Sequence, residues 1–235
     1  MAAEGVILGH YVVLTWRSHL LASKAHRVVK GLVGGCALLL GVVVTGCAAP
    51  QYTYVANSSQ DTYFKVPYGW HKISPSALKT VTGSSNGVWT VAYQAGSQPS
   101  ATDFLAFGTS QPFVFAEVGT LSSTGMNELS YDSLRDFFLP VTSTARSTAS
   151  SEGFPFSGFS QIRDEVLTPG QGVHGVRETF DYTDSGVTDT FDEIALTNPD
   201  QTEVYFLVLH CTSSCYSSDK TEINDVMSSF TIRSP

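Results

Sequence analysis

The first fifty residues constrain this chain more than any other feature. Four of the 13 basic residues, Arg17, Lys24, Arg27 and Lys30, precede an uncharged run, GLVGGCALLLGVVVTGC, that closes on Cys47. No acidic residue lies between Glu4 and Asp61. A positive flank, an apolar stretch and small residues before a boundary have the physical form of an export signal. One competing reading is an uncleaved membrane anchor over Gly31–Ala49, whose 19 residues, five of them Gly, barely span a bilayer. A core segment is the other. In either membrane reading the basic flank stays cytoplasmic and the body faces outward. The thirty residues ahead of the apolar run exceed an ordinary basic flank, so translation is expected to start downstream.

At the end of that run, Val44-Thr45-Gly46-Cys47 resembles a bacterial lipobox. The resemblance implies cleavage before Cys47 and a diacylglycerol on its sulfur, so that residues 1–46 form a lipoprotein signal peptide. Two acyl chains at one site give stable anchoring, at about 0.8 kcal/mol per buried CH₂. Without residues 1–46 the chain keeps 9 basic residues (13 less four) and 20 acidic ones (21 less one), a net charge of −11. That balance excludes nucleic acid as a partner. It also removes electrostatic attraction to anionic headgroups, so the expected membrane partner is reached through lipid on Cys47. The expected location is the cell membrane, on its extracytoplasmic side.

Cysteine usage agrees with export. Cys36 leaves with the signal and Cys47 carries lipid, which leaves Cys211 and Cys215. An even, closely spaced pair in an oxidising compartment reads as a disulfide. Its short loop contributes roughly 2 kcal/mol by the chain-entropy argument. The spacing is CxxxC and excludes a redox-active CxxC, while a metal site would need ligands beyond the adjacent His210. Free thiols are the remaining alternative.

The rest of the chain divides into a tether over residues 47–62, without apolar periodicity, and a single α+β domain over 63–235. Ser74-Pro75 opens a short helix through Lys79, and Val88–Tyr93 and Pro112–Leu121 read as strands. Ser130–Phe138 reads as a helix stopped by Pro140. In the last helix Asp219 is the expected cap, followed by Ile223, Val226, Met227 and Phe230 at helical spacing. The Ser/Thr-rich stretch Val141–Gly153 between them reads as a mobile loop. Turn signals at Thr168–Gln171, Asp184–Gly186 and Asn198–Asp200 separate four strands of an antiparallel meander. The last of these, Glu203–Cys211, is apolar on both faces and should lie centrally.

Phe64, Val66, Pro67 and Trp70 form an aromatic-x-Val-Pro-x-x-Trp opening. Leu134-Arg135 falls in a mid-chain helix, and the closing segment ends Ser229–Ile232 as Ser-Phe-Thr-Ile. Together these residues look like the PsbP-like superfamily, in the style of its actinobacterial lipoproteins. The resemblance covers about residues 62–235. It implies an α-β-α sandwich around a central antiparallel sheet and a binding or assembly role, with no catalytic residues to carry over.

Candidate chemistry is sparse. Gly83-Ser84-Ser85-Asn86-Gly87 fits G-x-S-x-G but precedes a strand, where a nucleophile elbow needs a helix. His71, His174 and His210 lack the spacing of a zinc motif, so no metal or cofactor is expected. The acidic stretch Glu178, Asp181, Asp184, Asp189, Asp192 and Glu193 is expected on solvated strand faces, with loose Ca²⁺ binding or glycoside hydrolysis as sharper alternatives. Phe104, Phe107, Phe154, Phe156 and Phe159 lie in Gly/Ser/Pro-rich segments. They either fill gaps under loops or line a pocket for an apolar small molecule or an envelope protein. The expected role is a non-catalytic envelope module; the alternative is an envelope hydrolase acting on glycans or lipids.

Overall fold

The computed structural model describes residues 51–84 and 87–233. The export segment and Cys47 lie outside them, as do Ser85 and Asn86. The chain begins with a hairpin, β1 (Tyr52–Asn57) and β2 (Thr62–Pro67), joined antiparallel with Tyr54 opposite Lys65. Residues 52–57 of the expected tether are therefore a strand. Its alternation of Tyr52, Tyr54 and Ala56 with the inward Val55 and Asn57 is a strand period in a polar sequence.

After β3 (His71–Lys72) comes helix α1 (Pro75–Thr82), started by the Ser74 hydroxyl, which accepts from the Ala77 amide, and ended by Gly83 at φ 63°. Strands β4 (Trp89–Gln94) and β5 (Phe113–Thr120) flank a 3₁₀ turn at Ala101–Phe104. Two short helices follow, α2 (Ser123–Glu128) and α3 (Tyr131–Arg135). Helix α3 has a Ser130/Ser133 capping box and stops at Arg135, short of Phe138. The expected mobile loop is instead helix α4 (Ser143–Ser151), which Thr142 caps. Asp136 fixes the start of α4: its carboxylate accepts from the Val141 and Thr142 amides at 2.7 and 2.8 Å and from the Thr142 hydroxyl at 2.7 Å.

The meander is as expected: β6 (Ser157–Gly170), β7 (Val173–Asp184), β8 (Val187–Thr197) and β9 (Glu203–Thr212). It is followed by α5 (Ser213–Ser218), α6 (Lys220–Met227) and β10 (Thr231–Ile232). Asp219 occupies the α6 cap position, yet its side chain makes no cap bond, because α5 runs directly into α6. Pro199 and Gln201 form the turn into β9, where the Asn198 side chain accepts from the Thr202 amide at 2.8 Å.

The large sheet has seven antiparallel strands in the order β3-β4-β5-β9-β8-β7-β6, which places β9 in the middle. Its two faces carry separate cores. Phe113, Phe115, Phe180, Phe191 and Phe206 pack under α1, the 3₁₀ turn and α3 on one face. Val114, Ala116, Leu207 and Leu209 meet Ile223, Val226 and Met227 of α6 and Phe64 and Val66 of the small sheet β1-β2-β10 on the other. The result is an α+β fold with layers on both sides of an antiparallel sheet.

Candidate functional site

The five phenylalanines are part of the core. Phe104 and Phe156 are buried, and Phe107, Phe154 and Phe159 pack half-buried against the same cluster. Phe104 stands 4.5 Å from Phe115 and 5.4 Å from Phe138, centroid to centroid. Phe107 contacts Phe156 at 4.3 Å, and Phe159 lies under the Arg146 guanidinium at 3.9 Å. They fill the space beneath the 3₁₀ turn and α4 instead of walling an apolar pocket. The void that Phe104 and Phe107 share with His210 is only about 10 Å³, less than the space for one water molecule.

The open cleft is polar. It has a volume of about 570 Å³ and lies between the end of β4 and the segment leading into β5, lined by Gln94, Ser97, Gln98, Asp103, Phe107 and Gln111. Gln94 is buried and fixed from both sides: its amide donates to Asp103 at 2.5 Å and its carbonyl accepts from the Ser100 amide at 2.8 Å. Gly108, at φ 85°, gives its backbone N–H to the buried carboxylate of Asp189 at 3.0 Å. The sequence carried a weak signal here, a cluster of Gly, Ser and Gln flanking Phe107.

Most of the acidic stretch is not solvated: Glu178, Asp189, Asp192 and Glu193 are fully buried under the layers that cover the middle of β7 and β8, while Asp181 and Asp184, towards the β7–β8 turn, stay part-exposed. Glu178 and Glu193 stand directly opposite each other on β7 and β8. Arg135 of α3 reaches Glu178 at 3.1 Å, Asp164 at 2.9 Å and Asp132 at 3.1 Å. Burial, and then the neighbouring Asp164, push the Glu178 carboxyl up to about 8 against the opposing pull of Arg135. Burial first, and the Glu178 charge next, hold Glu193 well above the usual carboxylate range. Neither Glu193 oxygen has a partner. Glu117 on β5 is raised to about 8 by burial alone. On the other face Arg177 pairs with Asp192 through two bonds of 2.9 and 2.8 Å, and Tyr216 of α5 donates to the same carboxylate at 2.8 Å.

The histidines lie in three places. His71 is exposed on β3, and His174 at the start of β7 bonds the Gly172 carbonyl at 2.9 Å. His210 is buried on β9, stacked on Phe191 at 5.2 Å, with Nδ1 3.7 Å from Asp189. Ser85 lies outside the described residues. Among the described residues no group of three or more His, Cys, Asp or Glu side chains could hold a metal ion. Cys211 and Cys215 form a disulfide that fastens α5 to the end of β9.

No family model and no curated protein matches the chain. Among solved structures it is similar to cyanobacterial PsbP (CyanoP) from Synechocystis sp. PCC 6803, with a TM-score of 0.46 and 17% identity over 81% of this chain and 98% of that one. It is similar to LpqN, described as involved in cell envelope biogenesis of Mycobacterium tuberculosis, with a TM-score of 0.45 and 16% identity over 78% and 91%. A Pseudomonas aeruginosa protein of unknown function, PA94, gives a TM-score of 0.41 and 11% identity over 79% and 100%. At these values function is argued from the residues of this chain alone.

Proposed function

We propose that the chain is a lipid-anchored, outward-facing domain of the cell envelope that works as a non-catalytic binding or assembly module. The observation that carries this reading is Val44-Thr45-Gly46-Cys47 at the end of an apolar run behind a basic flank. The disposition of the chemistry supports it. His71, His174 and His210 lie apart, and of the buried acids Glu178 is tied to Arg135, Asp192 to Arg177 and Asp189 to the Gly108 amide. The polar cleft beside Gln94 is the candidate surface for a ligand, and protein partners remain to be captured by crosslinking in intact cells. Mass spectrometry of the membrane-extracted protein tests the anchor. An N-terminal peptide beginning at acylated Cys47 is expected, and a peptide bridging Gly46 and Cys47 would refute cleavage. Cys47→Ser is expected to move the protein out of the membrane fraction.

A further inference from the structure

The two most exposed large apolar side chains among the described residues are Tyr54, at 79%, and Tyr68, at 66%. Tyr54 lies on β1 and Tyr68 directly follows β2, both at the start of the described residues. The Gln51 carbonyl accepts from the Tyr68 amide at 3.0 Å, so Tyr68 lies beside the point at which the chain arrives from Cys47. From Cys47 to Tyr52 is five residue steps, at most about 18 Å when fully extended. The stretch that could separate lipid from domain is thus far shorter than the sixteen residues expected from sequence. Any bilayer that holds Cys47 lies within reach of this hairpin.

The outer face of the small sheet has the chemistry of a membrane interface. Tyr52, Tyr54 and Tyr63 share it with Lys65, whose Nζ stands 4.0 Å over the Tyr52 ring. Arg233 covers Tyr63 at 4.6 Å. Tyrosine presents an apolar ring with a polar tip and suits headgroup depth, and a lysine stem buries apolar length while its charge stays wet. The acids on the same side are engaged: Asp225 accepts from the Tyr52 hydroxyl at 2.8 Å and Glu222 from the Trp70 indole at 2.9 Å. Both carboxylates keep their charge and are offset by Lys65 and Arg233, so the patch is aromatic and carries little net charge, a surface for zwitterionic lipid.

We propose that the β1–β2 hairpin rests on the bilayer surface, with Tyr54 and Tyr68 at headgroup depth, and so fixes the orientation of the domain; this rests on the lipid anchor at Cys47. The test uses the mature, acylated protein beginning at Cys47, in phosphatidylcholine vesicles with brominated acyl chains, which quench nearby tryptophan. Tyr54→Trp and Tyr68→Trp are expected to lose emission beyond the background of Trp70 and Trp89. Tyr131→Trp, on α3 in the opposite layer, is expected to show no added loss. Each substituted side chain is exposed, and an unchanged far-ultraviolet circular dichroism spectrum and unfolding midpoint confirm the fold. Protein that floats with the vesicles while neither hairpin tryptophan is quenched above background overturns the orientation and leaves the anchor standing. Protein that does not float overturns the anchor, and the orientation with it.

Discussion

Glu117 offers the sharpest test of the buried carboxyls. It lies on β5 between Thr90 of β4 and Phe206 of β9, is 5% exposed, and its Oε2 has no partner. Burial alone raises its pKa from 4.5 to about 8. In that interval the unfolded chain releases a proton that the native state keeps, so ionisation favours unfolding and stability falls as pH rises. The loss begins near pH 4.5 and is complete above about 8. Each unit is worth about 1.4 kcal/mol, which gives about 3 kcal/mol between pH 4.5 and 7. That is a large share of an ordinary domain's net stability. Glu117→Gln keeps the shape and removes the titration. Urea unfolding of both proteins at half-unit steps from pH 4 to 8.5 should show wild type losing about 3 kcal/mol relative to the variant between pH 4.5 and 7, and more by pH 8. Any constant difference from the unpaired amide cancels in the slope, as do the contributions of Glu178 and Glu193. Parallel profiles would refute the assignment of a buried, protonated carboxyl at this position.

Other substitutions probe the joints between layers. Arg135→Leu removes the group that pulls the Glu178 carboxyl down, so it should be more destabilising at pH 8 than at pH 5, read from urea midpoints. Asp136→Ala strands three donors at the start of α4 and is expected to cost about 2–3 kcal/mol, with faster amide exchange in Ser143–Ser151. Reducing the Cys211–Cys215 bridge should cost about 2 kcal/mol and leave the fold intact, as measured by unfolding with and without reductant. Phe206→Ala, in the central strand and packed on Phe137 at 4.9 Å, is expected to cost about 3–5 kcal/mol by thermal unfolding.

The elements legible in the sequence are those whose burial follows a period. Glu203–Cys211 is apolar on both faces, and β9 is central and covered on both sides. The three meander turns are written in Pro, Gly, Asn and Asp, and the structure turns at each of them. The misread segments are stabilised by distant residues. Helix α4 is Ser/Thr-rich with little intrinsic preference, and it forms because Asp136 holds its Thr142 cap in place and Arg146 lies on Phe159. Strand β1 is held by β2 and by Asp225, 173 residues away from Tyr52. The acids of β7 and β8 defeat the rule that polar positions of an alternating strand face water. Their polar positions face Arg135 and a helix on one side, Arg177 and Tyr216 on the other. The binding surface was the least legible: the phenylalanines looked available because their neighbours are Gly and Ser, which here let loops pack down onto the sheet.

These buried carboxyls change the meaning of the chain's charge. The formal balance after removal of residues 1–46 is −11, from 9 basic and 20 acidic side chains. Glu117 and Glu178, near 8, keep most of their protons at neutral pH, and burial pushes the Glu193 carboxyl in the same direction, well above the usual carboxylate range. The effective charge is therefore less negative than the formal −11. Of the remaining acids, Asp192 is neutralised by Arg177, and Asp132 and Asp164 share Arg135. Repulsion between the body and an anionic bilayer is correspondingly weaker than composition suggests, and at physiological salt it decays within about 8 Å. The hairpin that follows the anchor carries Lys65 on its outer face and packs against Arg233, while Asp225 and Glu222 are held by Tyr52 and Trp70. An acidic protein can thus present an aromatic face to the lipid, because part of its negative charge is protonated in the core and the carboxylates beside the β1–β2 hairpin, Asp225 and Glu222, are offset by Lys65 and Arg233.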